Sequence, residues 1–135
     1  TVVGVAIRSR GRLLAARRTT PVEHAGGWEL PGGKAATGES PEQAGREVRE
    51  ELGCEVAAVA VLPGRVPLTG PLVLRVVVAD LVDGEPVPRE HDAVRWLASD
   101  QPEEVAWLDA DRPVLDAVRG WLVERDAGVR GVFVG

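Results

Sequence analysis

The sequence has a single cysteine, Cys54, among 135 residues. No internal disulfide can form, so the fold is held by its core, and a reducing compartment is expected. No apolar run approaches the roughly 20 residues of a membrane-spanning helix, and no signal-peptide pattern opens the sequence. A cytoplasmic protein that engages no membrane is the expectation. Tyrosine is absent, and lysine occurs once, as Lys34, among 16 basic residues. That arginine bias, with abundant Ala, Val and Gly, points to coding composition rather than function, and it singles out Lys34. Excess positive charge is also lacking: 16 Lys and Arg stand against 21 Asp and Glu, for a formal net charge of -5. An acidic chain is poorly suited to sequence-independent binding of polymeric nucleic acid. Binding of a small anion stays open, because a divalent cation inverts local charge.

What is present suffices for one domain spanning 1–135, since a chain this long buries roughly two thirds of its unfolded surface. No repeat or low-complexity linker divides it. Val2 to Ile7 and Leu13 to Ala16 are apolar runs around a Ser9-Arg10-Gly11 turn, a hairpin signature. Thr19 to Gly27 is a polar loop. Trp28-Glu29-Leu30 is a short extended piece halted by Pro31-Gly32-Gly33. Ser40 to Leu52 is the clearest helix, with Ser40 as N-cap, Pro41 at the first position, Gln43 completing a capping box and Gly53 ending it. Val56 to Leu62, Leu72 to Val82 and Val94 to Ala98 read as strands, with Asp83-Gly84 as a turn. Arg112 to Arg125 reads as a closing helix with Val114, Leu115, Val118 and Leu122 apolar. Strands mixed with two helices predict an α/β fold with a mixed sheet. For the Gly- and Val-rich tail, 127–135, the pattern leaves open whether it adds a strand or stays flexible.

Helical spacing gathers carboxylates. With Glu47 at zero and about 100° per residue, Glu50 falls near −60° and Glu51 near +40°. Val48 and Leu52 form an apolar stripe beside them, and Arg46 and Arg49 take the wet side. Three acids on one face repel one another. Hard oxygen donors so arranged suit Mg²⁺ or Mn²⁺; a solvated face balanced by Arg46 and Arg49 is the alternative. Just upstream, Gly32-Gly33 follows an extended stretch, where glycines let backbone approach a helix or ligand closely.

These residues resemble the signature of the Nudix hydrolases: Gly, five residues, Glu, seven residues, Arg-Glu, an aliphatic, any residue, Glu-Glu, any residue, Gly, an aliphatic. Here the run is Gly33, five residues, Glu39, then Arg46-Glu47-Val48-Arg49-Glu50-Glu51-Leu52-Gly53-Cys54. Six residues rather than seven separate Glu39 from Arg46. The helical register of Glu47, Glu50 and Glu51 is untouched, while the loop bearing Glu39 must tighten or the helix start later. Leu14 to Arg18, Trp28 to Lys34, Glu90 to Leu97 and Ala110 to Leu115 further resemble the MutT branch, the nucleoside triphosphate pyrophosphohydrolases.

The resemblance implies a mixed sheet sandwiched between α-helices (α/β/α) and hydrolysis of a nucleoside triphosphate to the monophosphate and pyrophosphate. It implies Mg²⁺, or Mn²⁺, held by Glu47, Glu50, Glu51 and Glu90 with the Gly32 or Gly33 carbonyl. Glu50, Glu51 and Glu90 are then the catalytic carboxylates, and Arg46 orients the helix through a salt bridge with Glu39. Glu90 otherwise reads as an ordinary surface residue. Arg18, Trp28, Leu30, Lys34 and Asp111 match positions around the nucleotide. An ionised Asp111 would only accept hydrogen bonds, which favours a cytosine amino group; (d)CTP or 5-methyl-dCTP stands beside 8-oxo-dGTP, in nucleotide-pool sanitation and DNA repair. Asp111 also reads as a helix cap. His24 and His91 lack ligand spacing and are expected to be solvent-facing or hydrogen-bonded. Cys54 is expected to be buried and inert. The partner is a small nucleotide, and the chain a monomer or homodimer. Two rivals remain: a Nudix hydrolase of another diphosphate such as ADP-ribose, and a Nudix-fold binding module that has lost catalysis.

Overall fold

Apolar runs between turn signals build most of the sheet, which among the described residues has eight strands of two to eleven residues and is mixed. The computed structural model describes residues 2–19, 25–34, 45–68, 70–89, 91–98 and 105–122. Strand β1 (Val2–Ser9) is central and runs parallel to β7 (Val73–Asp83), from Val2↔Leu74 to Arg8↔Asp80. Parallel neighbours need a crossover, and helix α1 (Gly45–Leu52) lies within it. On the other side β1 turns through Arg10 and Gly11, both at positive φ, into antiparallel β2 (Arg12–Arg17). Strand β2 in turn carries β3 (Trp28–Glu29) and β8 (Ala93–Ala98), while β5 (Glu55–Val61) and the two-residue β6 (Val66–Pro67) pair antiparallel with β7.

Side chains alternate across a strand, and the alternation sorts the core into two layers. Ala6, Leu13, Ala15, Val76, Val78 and Leu97 face Leu115, Val118 and Leu122 of the closing helix α2 (115–122). Val3, Val5, Ile7, Leu14, Val77 and Ala79 face Val48 and Leu52 of α1, with Cys54. One helix covers each face, giving the expected α/β/α sandwich. Among the described residues no helix is long and apolar enough to cross a membrane.

Two strands escape the sequence pattern. Pro31-Gly32-Gly33 does not halt the extended chain: Gly32–Lys34 forms β4, paired with β1 at Val2↔Lys34, Val3↔Gly33 and Gly4↔Gly32. Gly32 sits at φ 150, and a Cβ there would collide with the Val3 carbonyl oxygen, so only glycine allows this approach. The pairing of β6 rests on β7, which offers an edge that periodicity in Val66-Pro67 could not announce. Strand β7 also runs through Asp83, leaving the turn to Gly84 at φ 82. The closing helix starts as a 3-10 turn at Arg112–Val114. Ser40, Pro41 and Gln43, expected to cap α1, and the tail 127–135 lie outside the described residues.

Candidate functional site

The carboxylate face of α1 is set by its apolar stripe. Val48 and Leu52, both at 0% exposure, lock the helix to the sheet. That lock turns Glu51 inward: it is 8% exposed, and its Oε2 accepts a hydrogen bond from the Gly32 N–H at 3.4 Å. Glu47, half-buried one turn earlier, stands against Gly33, where an added Cβ would lie 3.4 Å from its Oε2. Glu50 is exposed, as are Arg46 and Arg49. Arg49 pairs chiefly with Glu55, at 2.6 and 3.0 Å, and is drawn more weakly to Glu50. The Glu47–Glu51 edge of α1 therefore meets the glycines of β4, which have no side chains to fill the space between.

Glu39 and Glu90 lie outside the described residues, and among those described no three His, Cys, Asp or Glu side chains gather as a metal cluster. The donor set nonetheless fits a hard divalent cation: carboxylate oxygens beside a glycine backbone, with the Gly33 position left open by its missing Cβ. Arg89, which no sequence pattern singled out, closes the far end of α1. Its N–H donates to the Glu51 carbonyl at 3.2 Å and its Nη1 to the Glu50 carbonyl at 3.4 Å, satisfying carbonyls that the helix leaves open.

A second group of side chains gathers around β3. Trp28 bridges to Trp107: its N–H donates to the Ala106 carbonyl at 2.9 Å, and the Leu108 N–H donates to its carbonyl at 2.8 Å. Three residues beyond Leu108 the chain turns and delivers Asp111 beside Leu30, whose backbone N–H donates to the Asp111 carboxyl. Asp111 therefore makes no side-chain cap for the helix that follows it, contrary to the capping alternative. It is 6% exposed, and burial, with the charge of Glu29 adding, pushes its carboxyl up to about 7 against the pull of the Leu30 N–H and Arg18. Burial thus works against the fully ionised, accept-only form of Asp111 on which the sequence argument rested.

Leu30 is 4% exposed and belongs to the core layer under α2; its backbone, rather than its side chain, is what reaches Asp111. Trp28 is half-buried with the Arg17 guanidinium over its ring at 5.7 Å. Lys34 ends β4 opposite Val2. Arg18 donates from Nη1 to Glu29 Oε1 at 3.2 Å, and His91 Nε2 meets Glu29 Oε2 at 2.9 Å. Glu29 raises the His91 pKa, with a smaller contribution from Glu51, against burial and Arg18. Of the two expectations for His91, the hydrogen-bonded one holds. Glu29 itself was not singled out from sequence, since its partners at 18 and 91 come from distant segments. Cys54 is 1% exposed and burial raises its thiol pKa, as expected of an inert cysteine.

Comparison with known proteins yields concordant matches. A family profile described as NUDIX domain matches residues 1–118. A Mycobacterium tuberculosis protein assigned the name 8-oxo-dGTP diphosphatase 2 is 41% identical over 127 residues, covering 91% of this chain and 85% of the relative. The solution structure of the E. coli ORF135 protein superposes with a TM-score of 0.73 at 31% identity, covering 93% of this chain and 90% of that one. A MutT NUDIX hydrolase from Burkholderia pseudomallei gives a TM-score of 0.64 at 32% identity, covering 85% and 94%.

Proposed function

The chain belongs to the NUDIX family of hydrolases, and from that premise we propose that it converts a (deoxy)nucleoside triphosphate to the monophosphate and pyrophosphate with Mg²⁺ or Mn²⁺. The observation that carries the reading is the docking of the α1 carboxylates on β4, with Glu51 on the Gly32 N–H and Glu47 beside Gly33. Glu47, Glu50, Glu51, Glu90 and the Gly32 or Gly33 carbonyl are the groups that would hold the metal. When bound, a divalent cation offsets phosphate charge and lowers the pKa of an attacking water. The chain's own work is different. Glu51, pinned by Gly32, and the exposed Glu50 supply carboxylates to orient water and take its proton. Arg46 orients the helix. Arg18, Trp28 and Lys34 border the nucleotide, and Leu30 acts from the core through its backbone, which holds Asp111.

Asp111 reads the base. Protonated, it donates to a base carbonyl such as that of an oxidised guanine; ionised, it accepts from the amino group of cytosine. A carboxyl pushed up to about 7 offers both forms near neutrality. The name of the mycobacterial relative supports 8-oxo-dGTP as the first substrate to try, with (d)CTP and 5-methyl-dCTP next.

A substrate panel with Mg²⁺, its products separated by chromatography, tests the reading. It holds the four dNTPs, CTP, 5-methyl-dCTP, 8-oxo-dGTP and ADP-ribose. Release of a monophosphate and pyrophosphate from one triphosphate is the expected result. Cleavage of ADP-ribose alone overturns the substrate class, and nucleotide binding without any cleavage favours the binding module.

A further inference from the structure

The proposed reaction assigns no task to Glu29, yet it is one of the few well-shielded carboxylates among the described residues. The Glu29 side chain is 19% exposed and has each oxygen occupied by a different segment. Oε1 accepts from Arg18 Nη1 at 3.2 Å, and Oε2 meets His91 Nε2 at 2.9 Å. Arg18 lies just beyond β2, Glu29 on β3 and His91 just ahead of β8, so one side chain ties three chain segments. The backbone reinforces the same knot: Arg18 N–H donates to the Gly27 carbonyl at 2.9 Å and Asp92 N–H to the Arg17 carbonyl at 3.2 Å. Asp92 Oδ1 also pairs with Arg17 Nε at 2.6 Å.

Of the groups tied, Arg18 is the one that borders the proposed nucleotide. Glu29 is the neighbour of Leu30, whose N–H holds Asp111, and its charge is felt at Asp111. His91 feels Glu51 of the catalytic helix as well as Glu29. The imidazole is 6% exposed, and its Nδ1 is buried without a hydrogen-bond partner, so among the described residues Glu29 supplies the one polar contact that orients the ring. A guanidinium has five donors in a rigid fork; clamping one nitrogen sets the direction of the rest.

Building on the proposed nucleotide reading, we infer that Glu29 is a positioning residue: it grips Arg18 with one carboxylate oxygen and His91 with the other, and so sets the nucleotide-facing side of the site. Both of its carboxylate oxygens are committed to Arg18 and His91 rather than left to meet phosphate or water. Its loss therefore weakens nucleotide binding more than it slows the chemical step.

Two substitutions separate reach from charge. Glu29→Gln keeps the length and still spans both partners, accepting from Arg18 and donating to His91 Nε2, whose proton can move to the unpartnered Nδ1. Glu29→Asp keeps the charge but is one methylene too short to span both. Positioning predicts that Gln stays within about threefold of the parent in KM and in nucleotide Kd. It predicts that Asp raises both by roughly tenfold, with kcat within about twofold. Plain charge balance predicts the reverse order, with Gln damaging and Asp benign, and would overturn the inference; so would a loss confined to kcat. Kd is measured by calorimetry on the full chain with the triphosphate that the panel selects and Ca²⁺ in place of Mg²⁺. If the parent binds that triphosphate without cleaving it, the hydrolytic reading fails while the Kd order of the two variants still decides the role of Glu29. A parent that binds no nucleotide overturns both.

Discussion

Asp111 and Glu51 are both buried acids, and they sit in different surroundings, Asp111 beside the Leu30 N–H and Glu29, Glu51 on the Gly32 N–H. Asp111 holds its proton until about pH 7 because burial disfavours its charge and Glu29 repels it. Its folded pKa lies above the ordinary carboxylate value of about 4. The folded state thus binds the proton more tightly, and stability falls as pH rises from about 4 through 7. Asp111→Asn removes that ionisation while keeping an acceptor for the Leu30 N–H. The variant is expected to melt several degrees above the parent at pH 8, roughly 5 °C, with the gain shrinking toward pH 4 in scanning calorimetry. Glu51→Gln tests the other acid. Gln keeps the acceptor for Gly32 N–H, so the fold stands, and turnover should drop about a hundredfold or more. A folded Gln variant with unchanged turnover would remove Glu51 from the site. None of this difference was visible in the residue types: both positions are plain acids in the sequence, and only burial and neighbours distinguish them.

At the scale of elements, the site is a contact between α1 and β4, and the two glycines of β4 do separate jobs. A Cβ at Gly32 meets the Val3 carbonyl, whereas a Cβ at Gly33 meets only the Glu47 carboxylate, at 3.4 Å. Gly32→Ala should accordingly unseat β4 from β1 and destabilise the fold by about 2 kcal/mol or more. Gly33→Ala should melt close to the parent yet crowd Glu47, weakening metal-dependent turnover. Thermal melts beside activity assays at saturating Mg²⁺ distinguish the two. Leu52 anchors the other end of the contact. Leu52→Ala leaves a cavity under α1 and costs about 2–5 kcal/mol by denaturant titration. The helix, its acidic face and its buried stripe were legible because 3.6-residue periodicity is a local property. Strand β4 was not, since Pro31-Gly32-Gly33 is locally a turn signal, and only the open flank of β1 recruits it as a strand.

Across the whole molecule, the sheet brings the end of β2, β3, β4 and the stem of β8 to one side of α1. A net charge of -5 makes that assembly a poor host for a triphosphate on its own. Chelation by EDTA is therefore expected to abolish turnover without unfolding the chain, and added Mg²⁺ to restore it, with circular dichroism as the control. The sequence by itself determined the class of the fold, because alternating apolar runs and two amphipathic helices leave few ways to bury the core. It likewise determined the family, because the Arg46 to Gly53 run is a local word with its spacing intact. Which acid has its carboxyl pushed up by burial, which glycine bears the fold and which bears the site, and what Glu29 holds were decided only by tertiary structure. Those properties depend on distances between residues that lie as far apart in the chain as Arg18 and His91, and no local pattern encodes a distance across the sheet.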